Sequence, residues 1–285
     1  MQFGRPLFLS SLFFASIVWP SICPAQEYNQ LILDTIAEMP KGGVYAKYRK
    51  DLPESSRFDD LHETVEQLGS AFKVGMGGKL EVSPEKAKGY SFCSSATYLL
   101  FGEVIAKLQR DGSVPKNKAL NKEIADVGSK TEVIQGKMDG IGIFGHWNAD
   151  GPGTAVLFER LNLGDNFSTY EKARPGDFLK IFWNENIGKG ERGHLVVYLG
   201  ESSDKKSVQV WSSQTENSDG TSGYGTMWVE KTRIKRAVFS RLTRPANLAK
   251  WLEFSPEQKR SDYLIRIRET GSNTEELKKV TRLAD

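Results

Sequence analysis

Near residue 175 the spacing of apolar side chains changes from three-and-four to two, which restricts this chain to a plan with helices first and a sheet after. Leu31, Ile32, Ile36 and Ala37 predict a short helix over 29–38, closed by Met39-Pro-Lys-Gly-Gly43. Leu61, Val65, Leu68 and Phe72 predict a second over 56–72. A stronger pattern, Ala96, Leu100, Phe101, Val104, Ile105 and Leu108, predicts a buried helix running to Gln109. Ser91 is its expected cap, which sets Cys93 in the first turn. Shorter helices are expected at 118–126 and 153–161, with a glycine-rich loop over 140–153 between them. Beyond the switch, Pro175-Gly-Asp177 marks a turn and strands are expected at 178–183, 193–200, 207–213 and 236–242, joined by short polar turns that favour antiparallel pairing. After Pro245 the pattern is helical again. The fold class is α+β.

The chain opens with Arg5 as its first charge, an apolar run to Trp19, and Ile22-Cys-Pro-Ala25 before the first glutamate. This reads as a signal peptide over 1–25, so the protein is expected to be secreted or periplasmic, with no stable membrane anchor after cleavage. Ile22 argues against a lipidated Cys23. Of the two cysteines one lies in this leader, so Cys93 stands alone and no internal disulfide can form. The formal net charge of +3 over 285 residues, without a basic stripe interleaved with aromatics, suggests no nucleic-acid partner. One domain is expected over 26–245, with a helical extension over 246–285.

A solitary cysteine in an exported protein is either a buried thiol or a reactive one. At a helix start, unpaired amides and the helix dipole favour the thiolate, and Ser94 and Ser95 leave room for substrate. The histidines are His62, His146 and His194. His62 reads as a surface residue; His194, opening a strand on the same face as Val196 and Tyr198, is the expected base. Gln214, after the next strand, is the first choice to orient the imidazole, with Ser213 and Asn217 as alternatives. His146, Trp147, Asn148, Trp183 and Ser213 are the expected substrate contacts. The histidines lack metal-ligand spacing, so neither metal nor cofactor is expected.

Three pieces occur in order: Tyr90-Ser-Phe-Cys-Ser-Ser95 opening a helix, Ala173-Arg-Pro-Gly-Asp-Phe178 opening a strand, and Gly193-His-Leu-Val-Val-Tyr-Leu-Gly200. Together they resemble the NlpC-like and CHAP-like cell-wall peptidases and amidases, over roughly residues 85–215. The resemblance implies a papain-like core, with the nucleophile at a helix start packed on an antiparallel sheet. It implies Cys93 as nucleophile, His194 as base and a polar residue after the following strand as orienting group. The substrate it implies is peptidoglycan or a peptide, cut at an amide bond. The long interval between Cys93 and His194 marks 111–170 as an insertion. Two other readings fit the same residues: a transglutaminase-like acyl transferase, and a non-catalytic exported binding domain with an inert Cys93. The sequence leaves the oligomeric state open.

Overall fold

The computed structural model describes Met1 and residues 24–283, with side chains from residue 28. The leader lies outside the described residues, apart from Met1 and from Pro24 and Ala25, which open the first helix. The helices are α1 (Pro24–Glu38), α2 (Asp59–Ala71), α3 (Cys93–Asp111), α4 (Lys118–Ala125), α5 (Lys130–Ile134), α6 (Gly142–Asn148), α7 (Gly153–Leu161), α8 (Asp262–Thr270) and α9 (Thr274–Thr281). The strands are β1 (Val44–Tyr45), β2 (Phe72–Val74), β3 (Leu80–Val82), β4 (Tyr90–Ser91), β5 (Gly164–Phe167), β6 (Phe178–Phe182), β7 (Gly193–Glu201), β8 (Ser207–Gln214), β9 (Gly223–Glu230) and β10 (Arg236–Leu242).

The protein is α+β, built on a six-stranded antiparallel sheet in the order β5-β10-β6-β7-β8-β9. Four of these strands follow the alternation seen in the sequence. The two that it did not reveal, β5 and β9, are the sheet edges. β5 reads Gly-Asp-Asn-Phe and β9 carries two glycines, so neither has the apolar density of a central strand.

Helix α3 is central: fifteen of its nineteen residues are buried, so it is covered on nearly all sides rather than along one stripe. One side packs on β7 and β8. The inner face of the sheet, carrying Phe178, Leu195, Val197 and Trp211, joins α3 in one apolar cluster. The outer face holds a second, with Leu179, Ile181, Val196, Tyr198, Val208 and Val210.

The segment expected to be a glycine-rich loop at 140–153 instead contains the buried helix α6. Its glycines permit close packing: a Cβ on Gly145 would lie 2.0 Å from the Met138 carbonyl oxygen, and one on Gly153 2.2 Å from that of His146. Trp147 of α6 joins the elements, its ring 4.8 Å from Phe101 of α3 and 5.0 Å from Phe178 of β6. Aromatic pairs at such separations favour this arrangement beyond the area they bury.

The Pro175-Gly-Asp177 turn is held from three directions. Asn29 of α1 donates to the Pro175 carbonyl at 2.8 Å and to Asp177 Oδ1 at 2.9 Å. Arg241 of β10 grips the same carboxylate through Nε and Nη2 at 2.9 and 2.7 Å, and the Arg174 amide donates to it at 2.7 Å. The Asp177 side chain is wholly buried. Removing one partner of a buried charge pair strands the other, at a cost of about 3–5 kcal/mol. Asp177→Ala should therefore lower the urea-unfolding free energy by about that amount, whereas a loss under 1 kcal/mol would show that Arg241 finds another acceptor.

Candidate active site

Cys93 is the first residue of α3, and it lines a cleft of about 380 Å³. The cap differs from the expected one. Phe92 precedes the helix and its amide donates to Ser95 Oγ at 2.9 Å, while Ser91 Oγ donates to Ser213 Oγ at 2.7 Å. The helix start meets the sheet where β7 and β8 run side by side: the Leu195 amide of β7 donates to the Cys93 sulfur, and Ser212 Oγ of β8 reaches the Cys93 carbonyl at 3.4 Å.

The cleft wall carries a set of ionisable groups. Lys180 pairs with Glu191 at 2.6 Å, and Glu191 Oε2 accepts from the Gly151 and Gly188 amides at 2.6 and 2.9 Å. Opposite, a polar chain runs from α3 to α8. Ser94 Oγ donates to Asn148 Oδ1 at 2.6 Å, Asn148 Nδ2 approaches Asp139 Oδ1 at 3.5 Å, and Arg268 Nε lies 3.3 Å from Asp139 Oδ2. Arg268 comes from the C-terminal helical segment, which thus forms part of the cleft wall.

Burial pushes the Cys93 thiol above its ordinary pKa; the Leu195 amide, the Lys180 charge and the amides of Ser94 and Cys93 only partly oppose it. This reverses the direction expected from the helix start alone, because the loss of water outweighs a partial charge at a helix end. Burial disfavours the Lys180 charge, but Glu191 and Asp150 raise its pKa, so it stays an ammonium. Burial, and then repulsion from Asp150, pushes Asp139 up to about 7, against the pull of Arg268. Burial and then the Cys93 charge push the Tyr45 hydroxyl upward.

The other residues expected at the site are placed as follows. Asn148 lines the cleft. Trp147 also borders it but is 1 % exposed, its indole N–H donating to Thr97 at 3.0 Å, so it is core rather than a substrate contact. His146 is fully buried, bonded to the Gly142 carbonyl at 2.7 Å and against Arg160, and is not a substrate contact. Ser213 is buried against Ser91 and does not reach the cleft. Trp183 lies on the outer face of the sheet, 6.4 Å from the His194 ring and stacked with it.

His194 itself is the main correction. Leu195 faces α3, so by alternation the His194 side chain points to the outer face with Val196 and Tyr198. Among the described residues no hydrogen bond joins its ring to Cys93 or to Gln214. Burial and then Lys180 hold its pKa down to about 4, leaving it neutral. Gln214 donates to Asn217 Oδ1 at 3.3 Å and the Gly225 carbonyl at 3.0 Å, and its Oε1 is buried without a donor.

The sequence reading missed Asp139, Lys180, Glu191 and Arg268. Lys180 was visible: it stands between Phe178 and Phe182 on one face of a strand, where an apolar residue is the rule. The acids come from segments with no local pattern and meet only in the fold. No protein-family model, curated protein or solved structure matches the chain.

These electrostatics predict that carboxamidomethylation of Cys93 titrates above the roughly 8.5 of a free thiol. Lys180→Met, which removes the opposing charge, should move the midpoint higher still; a midpoint below 8.5 in the unaltered protein would contradict the balance described.

Proposed function

We propose that the protein is a cysteine-dependent amide hydrolase with a papain-like arrangement of nucleophile helix and sheet. The supporting observation is a solitary cysteine at the start of a buried helix, lining a cleft together with a fixed ammonium, a backbone donor and a carboxyl poised near neutrality.

In this reading Cys93 loses its proton to the Asp139 carboxylate, and the Lys180 ammonium stabilises the thiolate. The sulfur attacks the amide carbonyl, and the developing oxyanion accepts from backbone amides at the α3 start and from Leu195. Asp139 then protonates the leaving amine, the C–N bond breaks, and a thioester remains on Cys93. Water attacks the thioester with Asp139 as base, releasing the acid and restoring the thiol. A carboxyl with a pKa of about 7 suits both halves of such a cycle.

The substrate class rests on the resemblance of the three motifs to cell-wall hydrolases, and on a leader that implies export: a peptide amide of peptidoglycan. A second reading keeps His194 as base. It is favoured by the Leu195 amide, which ties the Cys93 sulfur to the residue adjoining His194, and by the unpaired Gln214 Oε1, an acceptor of the kind an imidazole N–H needs. Catalysis by that route requires the His194 ring to leave Trp183 and turn toward the sulfur.

Release of muropeptides from purified sacculi tests the function. Cys93→Ala should abolish it, by about a thousandfold or more. Asp139→Asn should slow it by about 10²-fold or more and remove the limb of the pH profile near 7, below which activity falls as the base is protonated. His194→Ala should have little effect; collapse of activity in that variant with Asp139→Asn intact transfers the base to His194. Sacculi left undigested by the unaltered protein, with Cys93 unreactive until unfolding, would overturn the hydrolase reading.

A further inference from the structure

Met76 stands 99 % exposed at the tip of the hairpin formed by β2 and β3. The tip reads Gly75-Met-Gly-Gly78, so no other side chain shares it. The hairpin beneath is tied to the core. Phe72 and Leu80 are buried, with Phe72 so close to α3 that a Cβ on Gly102 would lie 2.3 Å from its ring, and Asn121 of α4 donates to the Gly78 carbonyl at 2.7 Å. A large apolar side chain is thus held out into solvent by a fixed support.

Lysines gather behind this tip. By alternation Lys73 and Lys79 take the outward face of the hairpin, opposite Phe72 and Leu80. Lys118 opens α4 directly against Gly78, where an added Cβ would lie 2.6 Å from its own. Lys122 follows one turn later on the same side of α4, and Lys116 precedes the helix. Lys79 is half-buried and the other four are exposed. Among the described residues none of the five pairs with a carboxylate; the lysines that do are elsewhere. Against them stand Glu81, across the hairpin from Lys73, and Asp111 and Asp126, each of which accepts from a nearby backbone amide. Glu123 is already paired with Lys259. The surface keeps an excess of positive charge.

We propose that the β2–β3 hairpin and the start of α4 form a membrane-docking surface, which sets Met76 into the apolar layer of an anionic bilayer and the lysines among its headgroup phosphates. Clusters of four to eight lysines at a surface are enough for attraction to anionic lipid. A soluble polyanion would bind the same lysines but gain nothing from a thioether at the tip. A bilayer offers a charged layer over an apolar one, and the hairpin presents the matching pair, with one apolar side chain foremost and the ammonium groups behind it. The surface is independent of the chemistry at Cys93.

The test is co-sedimentation of the protein from Gln26 onward, without its apolar leader, with vesicles of phosphatidylcholine alone and of phosphatidylcholine mixed with phosphatidylglycerol. Binding to the mixed vesicles, weakened by salt, and none to phosphatidylcholine alone are expected. Met76→Ser should weaken binding roughly tenfold. Lys118→Gln and Lys122→Gln should each weaken it about fivefold, whereas Lys205→Gln with Lys206→Gln, on the β7–β8 turn, should leave it unchanged. All of these positions are solvent-exposed, so the variants retain the fold. Absence of binding, or equal binding to both vesicles, overturns the proposal. Binding untouched by Met76→Ser also overturns it, because the surface would then recognise charge alone.

Discussion

Burial of α3 against the inner face of β7 and β8 is the constraint on which the neighbourhood of Cys93 depends. The helix is enclosed by the sheet on one side and by α1, α2 and α6 on others, which fixes its axis and direction. Its first turn is thereby driven against β7, where the Leu195 amide meets the sulfur. The same packing withdraws the thiol from water, so the site combines an exposed opening with a desolvated nucleophile. A cysteine held this way stays protonated until a charge or a base assists it; the Lys180 ammonium acts on it, and Asp139 lines the same cleft.

The ion pairs in the cleft are better understood as positioning devices than as sources of stability. Lys180 and Glu191 are both withdrawn from water, and Glu191 is further fixed by two backbone amides. A pair this buried gains little net free energy over an apolar equivalent, but breaking it is costly. Gly193 fits the same logic, because a Cβ there would lie 2.7 Å from Glu191 Oε1 and 2.8 Å from Lys180 Nζ. The Gly-His sequence at the start of β7 thus makes space for the ion pair on the inner face while His194 packs on Trp183 on the outer face. Likewise, the buried Asp177 of the Pro-Gly-Asp turn ties α1 to β10.

Much of this plan is legible in the sequence. The change of period near residue 175 marks where five of the six strands of the main sheet begin, α7 is found at its expected bounds, and Cys93 does open a buried helix. The alternation holds for the apolar residues of β7 and β8: Val196, Tyr198, Val208 and Val210 share the outer cluster, while Trp211 joins the inner one. What alternation cannot supply is which face receives α3. Leu195-Val-Val-Tyr-Leu199 is apolar on both sides because both faces are buried, so the strand carries no polar side to mark the solvent.

The sequence by itself therefore determined the longer helices and the central strands, the class of the fold and the isolation of Cys93 at a helix start, because each depends on neighbours within a few residues. The tertiary structure decided the surroundings of that thiol. Asp139, Lys180, Glu191 and Arg268 lie on four separate segments and meet only when α6, β6, β7 and α8 pack together. Their pKa values are set by burial and by one another, neither of which exists in the extended chain. The glycines at 145 and 153 likewise suggested a loop, and only the closeness of neighbouring carbonyls reveals that they are there to let helices touch.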